Sequence, residues 1–133
     1  MDDRPSIRFE DWWPLATLSD FYDRLLANPP GQLLVDGATV YVGISAVYEA
    51  AKIAGDMGFL ILGVDGVQTN GAHVFLMIDY IADLSGSNDD RPWSEKASAT
   101  VEFFKDIPQE WLGGPQFVEF VLLGEDEARP SWP

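Results

Sequence analysis

Asn70-Gly71 stands between two apolar runs, Phe59–Val67 and His73–Tyr80. An Asn-Gly dipeptide flanked by β-prone segments is among the strongest short-range hairpin signals, because both residues tolerate positive φ. A hairpin here commits the middle of the chain to an antiparallel sheet. Asp36-Gly37 repeats the signal on a smaller scale, between Gln32–Val35 and Ala38–Val42. Its first arm is short, so an edge ribbon or an irregular loop is expected.

The segments around the hairpins carry helical rather than strand periodicity. Leu18, Phe21, Tyr22, Leu25 and Leu26 share one face of a helix. Thr17 and Asp20 have the spacing of a capping box at its start, and Asn28-Pro29-Pro30-Gly31 stops it. Val47, Ala50, Ala51, Ala54 and Met57 form a second stripe, opened by Ser45 as a cap and closed by Gly58. Its small side chains predict close packing on a sheet. Ala97, Val101, Phe104 and Ile107 form a third stripe, with Ser94 as the cap and Pro108 as the stop. Phe117–Leu123 is a last strand.

The expected order is α, short β, α, β, β, α, β. This predicts an α+β fold, a two-layer sandwich with a mainly antiparallel sheet of about four strands and three helices packed on it. The chain of 133 residues has no repeat and no internal linker, so 1–133 reads as a single domain. Residues 1–14 read as an N-terminal arm and 124–133 as a loosely held acidic tail.

Composition excludes several kinds of chemistry. There is no Cys, which removes disulfides, thiol catalysis and Cys-ligated zinc. His73 is the only histidine and reads as a half-buried strand residue, so a Ser-His-Asp site lacks support. No HExxH, Walker A loop or GxGxxG occurs. No cofactor is expected. The opening Met-Asp-Asp-Arg has no basic segment followed by an apolar run, and no apolar stretch reaches membrane-spanning length. A cytoplasmic protein is therefore expected.

Twenty-two Asp and Glu against eight Lys and Arg leave a net charge of −14. Such a field repels nucleic acid and anionic membranes and attracts basic partners. The acids are also unevenly compensated. From Ile53 to Asp90 there is no Lys or Arg, yet Asp56, Asp65, Asp79, Asp83, Asp89 and Asp90 lie there. Tyr80 follows Asp79, and Trp93 follows Asp89 and Asp90. Aromatic anchors beside charges have the composition of binding hot spots. Asp65, Asp79, Tyr80, Asp83, Asp89, Asp90 and Trp93 therefore form the candidate partner-binding rim.

The segment Gly43–Leu123 resembles a family of bacterial polymorphic-toxin immunity proteins. The likeness rests on Gly43-Ile44-Ser45 opening a helix, on Phe59–Val67 and on the Asn70-Gly71 turn. It extends through Ile78-Asp79-Tyr80, Trp93-Ser94 at a helix start and the strand from Phe117 to Leu122. The resemblance implies a protein that binds a co-encoded toxin domain and blocks it, without catalysis or cofactor. It supplies no defined set of contact residues. An acidic partner would speed encounter with a basic toxin by electrostatic steering.

Two other readings follow from the same residues. An acidic protein could act as a nucleic-acid mimic and inhibit a nucleic-acid-binding enzyme. Alternatively, Asp65, Asp79 and Asp83 could converge around a hard cation such as magnesium in a small carboxylate-based enzyme. Monomer and homodimer are both open.

Overall fold

The computed structural model describes residues 16–84 and 91–125. The expected arm at 1–14, and most of the expected tail at 124–133, lie outside the described residues. The chain forms a five-stranded antiparallel sheet with helices packed on it, an α+β fold. The elements are α1 (Leu18–Ala27), β1 (Leu33–Asp36), β2 (Thr39–Gly43), a 3-10 turn (Ile44–Ala46), α2 (Val47–Asp56), β3 (Leu60–Thr69), β4 (Val74–Asp83), α3 (Trp93–Phe103), α4 (Ile107–Glu110) and β5 (Phe117–Leu123). The strand order is β1-β2-β5-β3-β4, which inserts the last strand between the two hairpins. The ribbon counts as two full strands, so the sheet has five strands where about four were expected.

Local chemistry explains most element ends. The capping box forms: the Thr17 hydroxyl accepts from the Asp20 N–H at 3.2 Å, and the Thr17 N–H donates to the Asp20 carboxylate at 2.8 Å. This satisfies donors the first turn cannot use internally. At the first hairpin the loop is Gly37-Ala38, with Gly37 at φ 62°. Asn70 closes the second hairpin over four residues rather than two. Its side-chain oxygen accepts from the Ala72 and His73 N–H groups, each at 2.9 Å, and Gly71 takes φ 94°. His73 consequently lies in the turn and is exposed, not half-buried in the strand.

Three expected boundaries differ. Neither Ser45 nor Ser94 caps a helix. Gly43 leads into a 3-10 turn before α2, and Pro92 precedes α3. Pro108 does not end the third helix. The helix stops at Phe103, and Pro108 sits in the first turn of α4, where its missing N–H costs nothing.

The core lies between the helices and one face of the sheet. Phe21 of α1 is fully buried and meets Phe59 and Phe120 edge-on, at ring separations of 6.3 and 6.0 Å. Phe104 packs on Phe120 at 5.6 Å. Edge-to-face contacts of this kind suit the ring quadrupoles. Ala50, Ala51 and Ala54 are fully buried and let α2 approach closely. A Cβ on Gly55 would stand 2.7 Å from a Val101 methyl, so α2 and α3 also meet tightly. Among the described residues no helix is long and apolar enough to cross a membrane.

Candidate functional site

Strand alternation divides the sheet into two faces. Val40, Val42, Ile61, Val64, Val118 and Phe120 point toward the helices. The opposite face takes the alternate positions, and the described helices do not pack on it. Register then assembles one row across all five strands. Ile81 of β4 pairs with Asp65 of β3, and Asp65 pairs with Glu119 of β5. Val42 pairs with Val118, which brings Tyr41 of β2 alongside Glu119, and Tyr41 pairs with Leu34 of β1. The row reads Ile81, Asp65, Glu119, Tyr41, Leu34: two carboxylates inside an apolar and aromatic frame.

Asp83 joins the same face one row further along, opposite Gly63, which pairs with Val121 on its other side. Gly63 has no room for a side chain, since a Cβ there would run into the Ala82 carbonyl oxygen. The backbone is therefore bare between Asp83 and Val121, and Asp65 and Glu119 lie beside that gap. Toward the Asn70 hairpin the face is apolar, with Val67 and Phe117 buried and Leu76 exposed.

The Asp65 charge acts on Glu119, and Glu119 acts on its neighbours. Partial burial, and secondly the Asp65 charge, hold the Glu119 carboxyl above the ordinary carboxylate range. Like charges directly opposite in a sheet are unfavourable. Burial and then Glu119 push the Tyr41 hydroxyl upward, and Tyr22 on α1 is raised by the same two causes in the same order. Glu119 is thus the electrostatic centre of the face.

The expected rim is only partly assembled. Asp65 and Asp83 lie on the face turned away from the described helices. Asp79 does not join them, because β4 bulges. Asp65 pairs with Ile81 and Val67 with Leu76, so Gly66 alone stands opposite residues 77–80. The bulge lifts Ile78 to 77% exposure and leaves Asp79 exposed at the sheet edge. Tyr80 turns to the helix side, edge-on to Trp111 at 5.5 Å. A Cβ on Gly66 would come within 2.8 Å of the Tyr80 Cβ, and one on Gly114 within 2.6 Å of its ring. Two glycines therefore make the slot that Tyr80 fills.

Trp93 is also held internally. Its ring N–H donates to the Gly58 carbonyl at 2.9 Å, and Lys96 lies over the ring at 5.6 Å. Both aromatics predicted for the rim anchor the helical layer. Asp89 and Asp90 lie outside the described residues. Among the described residues no group of three His, Asp or Glu is placed to hold a metal ion.

Sequence reasoning missed Glu119 and Tyr41. A signal for Glu119 was present: it is the one charged residue within the apolar run Phe117–Leu123. A carboxylate in an otherwise hydrophobic strand marks a face that is not closed by core packing.

No protein-family model matches the chain, and comparison with curated proteins and with solved structures gives no match.

Proposed function

We propose that this chain acts by binding rather than catalysis, as an immunity protein that neutralises a co-encoded, basic bacterial toxin domain. The observation that carries the reading is the sheet face turned away from the described helices, where Asp65 and Glu119 sit between Ile81 and Tyr41. Apolar side chains would supply contact area, and the paired carboxylates would meet a cationic side chain that relieves their repulsion. The net charge of −14 would steer a basic partner toward this face.

The alternation of carboxylates with apolar and aromatic groups suits a protein surface. A nucleic-acid mimic would instead array acids at phosphate spacing. A folded acidic protein working inside the cell fits this role, with the toxin domain as its cognate partner.

The test is co-expression with the toxin domain encoded beside this gene, combined with calorimetry. The expected result is rescue of growth and tight 1:1 binding, with an association rate that falls as salt rises. Loss of rescue in Glu119→Lys, with the fold retained by circular dichroism, would locate the contact. Absence of both binding and rescue with the wild-type chain sinks the reading.

A further inference from the structure

The outer edge of β4 is a second surface, distinct from the face that carries Asp65 and Glu119. β4 ends the sheet order, and its outer backbone groups have no strand beside them among the described residues. Exposed sheet edges are ordinarily guarded by Lys, by Pro or by short length, because they template pairing with another chain. β4 has none of these. It runs for ten residues from Val74 to Asp83 without Lys, Arg or Pro. Phe75, Leu76, Ile78 and Ile81 are exposed along it. Its protection is two Asp and the bulge at 77–80, which leaves the regular stretches Val74–Leu76 and Ile81–Asp83 on either side.

Charge determines what this edge accepts. Its only ionisable side chains are Asp79, Tyr80 and Asp83; β3 beside it adds Asp65, and β5 beyond β3 adds Glu119. A second copy of the chain would bring the same acids, and a net charge of −14, against them. A strand alternating cationic and apolar residues would match both the carboxylates and the exposed side chains. We infer that β4 takes a basic β-strand of a partner protein by strand addition, pairing on both sides of the bulge. Main-chain hydrogen bonds would give affinity, and Asp79, exposed on this strand, would select cations. The inference rests on the binding reading above, but not on the partner being a toxin.

The probe is a ten-residue peptide alternating Lys and Val, added to the full chain. Fluorescence anisotropy gives its affinity, and amide hydrogen exchange locates it. Protection is expected within Val74–Asp83. Methylating alternate peptide nitrogens along one edge should weaken binding by about tenfold or more, since it removes strand hydrogen bonds and keeps the charge. A Glu-Val peptide should not bind. Ile78→Lys, at an exposed site where the fold is not at risk, should weaken the Lys-Val peptide.

Equal affinity of the methylated peptide, protection confined to β3 and β5, or no binding overturns the proposal. So does light scattering that shows a stable dimer with β4 protected in the peptide-free protein. Binding at β4 together with failed toxin rescue would retain the edge and remove the toxin. Rescue without peptide binding would do the reverse.

Discussion

Glu119 and Asp65 face each other across β5 and β3, and neither has a cationic neighbour in its row. Glu119 binds its proton more tightly in the folded chain than in the unfolded one, because burial and Asp65 both raise it. A raised carboxyl destabilises the fold at neutral pH. That penalty fades as pH falls through the raised value toward the ordinary carboxylate range. Glu119→Gln should therefore stabilise the protein at neutral pH by a few tenths to about 1 kcal/mol, a modest figure because solvent screens a partly exposed pair. Urea unfolding of both proteins at about pH 7 and about pH 5 checks this: the gap should shrink at the lower pH. A gap that widens there contradicts the assigned cause. The same substitution should weaken partner binding, as expected where a site retains strain for function.

At the scale of elements, the β4 bulge decides which side chains share a face. Gly66 admits the Tyr80 Cβ and the Pro115 ring beneath it, both within 3 Å of where its own Cβ would stand. Gly66→Ala should cost about 1–3 kcal/mol by overpacking and should displace Tyr80 from Trp111. A drop in the urea midpoint with altered tyrosine fluorescence is the expected pair of observations. An unchanged midpoint would mean the slot is looser than described.

The same bulge marks where sequence reasoning stops. The capping box, the Gly58 stop and both glycine turns depend on neighbours within a few residues, and they were legible. The α+β architecture was legible too, from the switch between helical and strand periods. The assignment of Tyr80 and Asp79 was not, because a bulge breaks the period of two that such assignments use. Trp93 was read as a surface anchor, but its partner Gly58 is 35 residues away. The row containing Glu119 depends on β5 inserting between β2 and β3, a long-range pairing that no local pattern encodes.

For the whole molecule, the charge imbalance acts on the fold as well as on partners. With 22 acids and eight bases, the compact state works against its own repulsion. Raising salt from about 0.05 M to about 0.5 M shortens the screening length and should raise the thermal midpoint. It should also slow association with a basic partner. Opposite salt effects on stability and on encounter, measured in one buffer series, would separate the two roles of the charge. A midpoint that falls with salt would show that specific ion pairs outweigh the general repulsion.

The β1–β2 ribbon joins the rest of the sheet through Val42–Val118 and Gly43–Phe117, with the Ile44 N–H bonded to the Gln116 carbonyl just beyond. β3, by contrast, pairs with β4 and β5 along most of its length. With so short a seam, the ribbon is held as much by its inward side chains, since Val40 and Val42 are buried against the helices. Asp65 thus sits on a strand paired on both sides, while Tyr41 and Leu34 ride on a ribbon anchored through the core beneath it.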